Sequence, residues 1–445
     1  MTLIVIHGIG QLVTNSADAL SPDTPTSEFG DLGIIEHAGI LVRDGKIIWI
    51  GFEKNLRAAM KSFADESERI EHIDIQGKTL IPGFVDSHSH LVFAGDRGGE
   101  FEARMSGRPY DGGGIMRTVE ATRAADDDTL IEHTAKLINE ARSQGTTTIE
   151  IKTGYGLSPK HEPRLASIAQ QFTPEVTFLG GHAIPSEYRG APGNPDTIGT
   201  REDYVDLVCG PMLDAITATG AAKWVDVFCE PHSPFAFDGD ETRRILAAGI
   251  SAHLIPRLHG AQLGEGPGPQ IAVEFDAASV DHCTFLTDND LDALAGSWDG
   301  NTSKQGTVAT FLPAVEFSTK QPYPDMQRAI DAGCRVAIAS DCNPGTCFSD
   351  SMPFAIAIAV REMGLTIPQA IWAATAGGAL ALRRNDIGSI RIGAAADFAV
   401  VDAPSYTHIA YRPGVPLTHA LNLPCKKPRD SSALPRRQNS HHIRA

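Results

Sequence analysis

Two textures of apolar and polar positions divide the chain. Up to residue 83, short β-branched runs alternate with turn residues. Residues 3–6 are apolar and predict a first strand that ends at His7-Gly8. Residues 40–42 and 46–50 flank Asp44-Gly45, a pair that tolerates positive φ and predicts a two-residue hairpin. Residues 14–30 carry Ser, Asp, Pro and Thr and read as a loop. The charged stretch 53–70 has room for one short helix. Apolar residues 73–75 and 79–81 then lead through Pro82-Gly83 into Phe84.

From residue 84 to about 385 the pattern changes, and short β-rich runs alternate with longer Ala-rich stretches. Strands are expected at 84–87, 146–151, 176–180, 225–229, 250–255, 279–281, 308–312 and 335–340. Helices are expected at 128–143, 160–171, 201–219, 240–248, 287–295, 324–332, 352–363 and 367–382. Such alternation fits an α/β barrel or a doubly wound sheet. A barrel collects its functional groups at the C-terminal ends of its strands. Those ends carry His88 and His90, Glu150, His182, Glu230, His259, His282 and Asp341, which favours the barrel. Near residue 386 β texture returns, in 387–390 and 396–402. The expected architecture is α/β: a (β/α)8 TIM-like barrel over 84–385, with a small β-sandwich domain built from 1–83 and 386–425. Residues 426–445 hold six Lys or Arg, one acid and no periodicity, and read as a disordered basic tail.

Composition narrows the functional classes. The chain has 445 residues, 42% hydrophobic and 21% charged, which excludes a coiled coil or disorder throughout. Its formal charge of −17 argues against a nucleic-acid or anionic-membrane surface, so a small anionic substrate would need a local basic pocket. No apolar run reaches the ~20 residues of a membrane span. Seven widely spaced cysteines without a CxxC read as reduced thiols of a cytosolic protein. The glycines form neither a GxGxxG nor a Walker A loop, and no organic cofactor is expected.

The chemistry concentrates at strand ends. His88 and His90 stand at i and i+2, so on an extended segment they point the same way and can share one metal. Asp341 directly follows residues 336–340; a carboxylate ending a buried strand is costly unless paired. With His259 these make a four-ligand site. Such ligands suit zinc or iron, and a metal so held activates water for hydrolysis of an amide-like C–N bond.

Longer blocks carry a resemblance. Residues 82–90 (PGFVDSHSH) resemble the first-strand signature of the amidohydrolase superfamily. Residues 91–97, Gly112 to Ile115, 150–157 (EIKTGYGL), 177–183, 226–230 and 340–346 (SDCNPGT) are similar to its imidazolone-5-propionate hydrolase family. The likeness spans about residues 35–420. It implies one Zn²⁺ or Fe³⁺ held by His88, His90, His259 and Asp341, and hydrolytic opening of 4-imidazolone-5-propanoate to N-formimidoyl-L-glutamate. It implies substrate contacts from Arg97, Tyr110, Tyr155, His182, Gln262, Asn343, Gly345 and Thr346, with catalytic roles for Asp341, His182 and Gln262. His182 would donate a hydrogen bond to the ring oxygen; Gln262 cannot be a general base, which leaves more proton transfer to Asp341. Glu150 and His282 would support the ligands from behind. Binuclear relatives use a carboxylated Lys on strand four; placing Glu150 there, His182 on strand five, His259 on strand six and Asp341 on strand eight favours a single metal. A homodimer is a family-level expectation.

Two stretches depart from the family pattern. Residues 264–270 replace a segment usually richer in Ser and Asn, and a final strand is missing after Leu421. Another cyclic amidohydrolase or deaminase on the same barrel is the main alternative. A metal-binding protein without turnover is a further one.

Overall fold

The hairpin forms where the sequence predicts it. In the computed structural model, which describes residues 2–19, 28–64, 68–107, 114–189, 197–298, 300 and 305–424, Asp44 and Gly45 take φ of 50° and 75°. Positive φ at both central residues makes a type I′ turn, matched to the twist of the strands it joins. Strand β1 (Thr2–Val13) does not stop at Gly8 as expected. A bulge between Ile6 and Ile9, with Gly8 at φ 65°, carries it on to Val13. It pairs antiparallel with β2 (Ile34–Arg43), which the turn links to β3 (Lys46–Phe52). A helix over Glu53–Phe63 covers this edge, burying Leu56 and Ala59. Strands β4 (Arg69–Asp74) and β5 (Thr79–Pro82) run parallel to β1. The far end of the chain completes this seven-stranded sheet: Phe398–Val401 pairs antiparallel with β5, and Thr418–Ala420 pairs with that strand in turn. The basic tail and Cys425 lie outside the described residues.

A second, parallel set begins at once. It comprises β6 (Phe84–Asp86), β7 (Thr146–Ile149), β8 (Ile151–Lys152), β9 (Val176–Gly181), β10 (Trp224–Cys229), β11 (Ile255–Pro256), β12 (Leu258–Gly260), β13 (Ser279–His282), β14 (Val308–Phe311) and β15 (Val336–Ile338). Glu150 interrupts the second position between β7 and β8, and Arg257 the fifth between β11 and β12. Each neighbour pairs parallel with the next. The sheet curls until its ends meet: Asp341 N–H donates to His88 O and His90 N–H to Cys342 O, both at 3.0 Å. Parallel strands covered by helices are buried on both faces, and every residue of β9, β12, β13, β14 and β15 is buried.

Seven of the eight expected strands lie within two residues of their observed bounds. The exception is 250–255. There the helix Gly239–Ser251 runs on, started by an Asp238/Glu241 capping box and burying Ile245, Leu246 and Gly249 on one face. His253 ends the turn at φ 65°, and the strand follows at Ile255. The strand ordinals also shift. Glu150 lies at the second position, His182 follows the third and His259 is on the fifth, while Asp341 follows the eighth. The fourth position, where the carboxylated Lys of binuclear relatives was expected, ends at Cys229 and is followed by Glu230, not Glu150. The expected helix 201–219 contains a π turn at Val208–Met212 where Pro211 removes a backbone donor; 367–382 contains another at Ala373–Gly377. Helices at Gly98–Met105, Ile115–Ala124, Gly268–Glu274 and Pro313–Thr319 carry no strong periodic signal and were not expected. The third of these begins inside the divergent 264–270 loop.

One buried side chain ties the two sheets together. Asn15, itself at φ 50°, donates to Thr375 Oγ1 (2.7 Å) in the second π turn and to Gly388 O (2.9 Å). Asn15→Ala should lower stability by about 1–3 kcal/mol, because both acceptors stay buried. Denaturant titration checks it; an unchanged midpoint would contradict the tie.

Candidate metal centre and pocket

The strand ends set the donors. His88 and His90 follow β6, His259 is the middle residue of β12, and Asp341 follows β15. His88 Nε2 and His90 Nε2 lie 3.3 Å apart, His90 Nε2 and His259 Nε2 3.4 Å, and Asp341 Oδ1 is 3.4 Å from both His88 and His90 Nε2. A tetrahedral ion with bonds of ~2.0–2.1 Å separates its ligands by about 3.4 Å. The ring protons are committed elsewhere. His88 Nδ1 faces Asp281 Oδ2 at 2.7 Å and His259 Nδ1 faces Asp226 Oδ1 at 3.0 Å, so each ring turns a bare Nε2 lone pair inward. Lone pairs and a carboxylate packed this closely repel one another unless a cation lies among them. The residues present fit one metal ion.

Electrostatics agree. Burial and Lys152 push His88 down, yet Asp281 and Asp341 outweigh them and raise it to about 9; without a metal the cluster takes a proton instead. Burial pushes His90 down to about 3 and lowers His259 and His282. Burial opposes the ionised form of Asp341, but hydrogen bonds and charge from His88 and His90 hold it well below the usual carboxylate range. The backbone is bent to this end: Asp341, His282, Cys283 and Ala261 all have positive φ, of 50°, 85°, 59° and 56°. His282 does not hydrogen-bond a ligand as expected. Its ring joins His88 and His259 in a second, overlapping donor cluster.

A cavity of about 650 Å³ opens over these donors, lined by His90, Arg97, Tyr155, His182, Gln262, Asn343 and Thr346 among others. Thus the structure gathers every expected contact but two at one wall-to-wall site. Gly345 stands behind Arg97, where a Cβ would lie 2.8 Å from its Cζ, and Tyr110 lies outside the described residues. Arg97 is already held by Glu100 through Nε at 2.9 Å and Nη2 at 2.6 Å. The 343–346 turn is internally satisfied: Asn343 Oδ1 accepts the Gly345 and Thr346 N–H groups at 2.8 Å, and Asn343 Nδ2 donates to Asp341 O and Thr346 Oγ1 at 2.7 Å. Thr346 Oγ1 in turn reaches Asp341 Oδ2 at 3.2 Å. Turn chemistry therefore uses these backbone donors, and what the turn gives the site is the aim of Asp341. Gln262 N–H and Leu263 N–H donate to Glu230 Oε2 at 3.1 and 2.9 Å, which fixes the segment after His259.

His182 differs from expectation in one decisive respect. Its Nδ1 lies 2.9 Å from Gly154 O, an acceptor only, so Nδ1 carries the proton. Burial lowers its pKa well below the ordinary value, so the ring is neutral and Nε2 is a hydrogen-bond acceptor rather than the expected donor. Gly154, at φ 107°, leaves room for this contact: a Cβ there would sit 2.8 Å from His182 Nδ1.

The family model described as the amidohydrolase family matches residues 79–419. The chain belongs to the amidohydrolase family. It is 52% identical over 421 residues to an imidazolonepropionase of Mycolicibacterium smegmatis, covering 95% of this chain and 96% of that one. An imidazolonepropionase of Salinispora arenicola is also 52% identical, over 417 residues, with 94% and 96% covered. Among solved structures, E. coli guanine deaminase aligns with a TM-score of 0.62 at 17% identity, over 90% of this chain and 89% of that one. The E241Q mutant of atrazine chlorohydrolase TrzN from Arthrobacter aurescens TC1, complexed with zinc and atraton, aligns at 0.64 and 14%, over 94% and 95%. At such identities the structural likeness concerns the fold alone.

Within this amidohydrolase site, sequence reasoning missed the residues behind the ligands. Asp226 and Asp281 orient His259 and His88; Lys152 lies 2.9 Å from Asp226, and Arg257 lies 3.3 Å from Asp281. Glu162, fully buried, accepts Gly154, Gly156 and Leu157 N–H at 3.0, 2.7 and 2.7 Å and so clamps the loop that presents Tyr155. A signal existed for Asp226 and Arg257, each a charge inside an apolar run that has to be paired; Glu162, among Lys160, His161 and Arg164, carried none. Glu150 Oε2 accepts Ser89 N–H at 3.2 Å, between the two histidines, and Oε1 lies 3.0 Å from Lys152. Among the described residues no helix is long and apolar enough to cross a membrane.

The His182 assignment is open to ¹⁵N NMR of the zinc-loaded protein. Nδ1 should be protonated and Nε2 bare at pH 7, and the ring should stay neutral on acidification where a free imidazole becomes charged. An Nε2–H signal would restore the donor role.

Proposed function

We infer that this chain is a metal-dependent hydrolase that opens the ring C–N bond of 4-imidazolone-5-propanoate, giving N-formimidoyl-L-glutamate in histidine degradation. The observation that carries this is near-full-length identity of 52% to imidazolonepropionases in a chain whose converging donors lie beneath a cavity. His88, His90, His259 and Asp341 would hold one ion, zinc or iron. When bound, that ion polarises the carbonyl and lowers the pKa of water toward ~7.

The remaining chemistry belongs to side chains. Asp341, aimed by Thr346, takes a proton from the attacking water as its oxygen bonds to the ring carbonyl carbon. The C–N bond then breaks, Asp341 returns the proton to the leaving nitrogen, and the carbonyl carbon becomes the new carboxylate. Gln262, a neutral amide, orients water or substrate and moves no proton. His182 accepts a hydrogen bond through Nε2. Arg97 binds the propionate, sharing its guanidinium between that carboxylate and Glu100. Tyr110, Tyr155, Asn343 and Thr346 complete the substrate contacts, Gly345 leaves the space that seats Arg97, and Glu150 supports the strand that carries His88 and His90. We further propose that 84–385 forms a full (β/α)8 barrel, that 1–83 and 386–425 form a β-sandwich domain, and that the enzyme works in the cytoplasm.

Two comparisons test this reading. Removing the propionate from the substrate should cut kcat/KM by at least about 100-fold, because Arg97 then lacks its anionic substrate partner; equal rates would favour another cyclic amide. Asp341→Asn should lower kcat by about 10²–10⁴-fold with the fold kept, by circular dichroism. Unchanged turnover would remove Asp341 from proton transfer.

A further inference from the structure

Behind the metal donors lies a buried charge cluster that the proposed reaction does not use directly. Lys152 Nζ is 3.0 Å from Glu150 Oε1, 2.9 Å from Asp226 Oδ2 and 3.7 Å from Asp281 Oδ2, and all four side chains are fully buried. Arg257 is the second cation. Its Nη2 lies 3.3 Å from Asp281 Oδ2 and donates to Ser87 O at 2.7 Å, while Nη1 donates to Ala381 O at 2.7 Å. Three carboxylates thus face two cations in a dry interior.

Two of those carboxylates have second tasks. Asp226 Oδ1 accepts both His259 N–H and the His259 ring proton, at 3.1 and 3.0 Å; Asp281 Oδ2 accepts the His88 ring proton at 2.7 Å. Arg257 contacts Asp281 alone among these acids; its Nη1 and Nη2 also donate to carbonyls, and its buried Nε has no partner among the described residues. Only Lys152 reaches both Asp226 and Asp281 among the described residues. Carboxylates this close repel one another, and the ammonium between them holds them together. A carboxylate that turns away from its histidine releases that ring's orientation and tautomer, and with them what the ring offers a metal.

We propose that Lys152 is a positioning residue: its ammonium bridges Asp226 and Asp281 and holds both carboxylates in place behind His259 and His88, fixing the orientation and tautomer of two metal ligands. This rests on the reading that the four donors hold a metal. It assigns Lys152 a task different from bridging metals as a carboxylated lysine, since its ammonium faces three carboxylates on the second strand position.

The test measures Zn²⁺ affinity by chelator competition, with the visible spectrum of the Co²⁺-loaded protein alongside. Lys152→Met should lose about 10–100-fold in Zn²⁺ affinity and shift the Co²⁺ bands. The double variant Glu150→Gln/Lys152→Met removes one charge of each sign and should return affinity to within about threefold of wild type. Circular dichroism reports folding of each. Should the single variant not fold, the double variant decides: near-wild-type affinity supports the proposal, and a loss of 10-fold or more overturns it. Unchanged affinity and spectrum in a folded Lys152→Met, or a double variant no better than the single, also overturns it. A wild-type chain that binds no Zn²⁺ overturns the metal reading and this proposal with it.

Discussion

Everything at the centre of this fold answers to one constraint: negative charge and nitrogen lone pairs are held where water is excluded. Asp341, Asp226, Asp281 and Glu150 are at most 2% exposed, and His88 and His259 almost equally hidden. Unpaired, such groups would be expelled or neutralised. They persist because cations are arranged on both sides: Lys152 and Arg257 behind the histidines, and a metal site in front. His88 and His259 stand between, each with one nitrogen given to a carboxylate and the other turned toward the metal site.

The curled parallel sheet is what makes this arrangement reachable. Every donor leaves a strand at the same end, and the hydrogen bonds that join the first strand segment to the last, through His88, His90, Asp341 and Cys342, run through the ligands themselves. Closing the sheet and assembling the donor set are therefore one event. Positive φ at Asp341 and His282 is strain that the surrounding pairing holds in place. The 343–346 turn extends the logic outward, since its internal hydrogen bonds are spent on aiming Asp341 rather than on open donors.

Much of this was legible in the residues. His88-Ser-His90 at the end of an apolar run and Asp341 after 336–340 stood out because period-2 patterning and burial leave little else for them to do. The alternation of strands and helices was equally plain, apart from residues 250–255, where Ile250 belonged to the end of a capped helix. The tautomer of His182 was not legible, because it depends on a carbonyl 28 residues away in the chain. Nor was the pairing of Lys152 with Asp226 and Asp281. A buried charge announces that it needs a partner, but which one depends on how distant strands are brought side by side. The seven-stranded sheet was predictable in content and less so in path: Gly8 marks a bulge, and reads equally well as an end.

Arg97 shows how an acidic chain can still receive an acidic substrate. Its guanidinium is nine-tenths hidden, seated against Gly345 and held flat by Glu100, so a single oriented cation faces the cavity mouth while the net charge of the chain stays at −17. The most direct test of the whole is turnover of freshly prepared 4-imidazolone-5-propanoate by purified protein, with N-formimidoyl-L-glutamate and metal content measured on the same sample. Product formed in step with substrate loss, at about one metal per chain, is the expected result. A chain with its metal site filled and no product would contradict it.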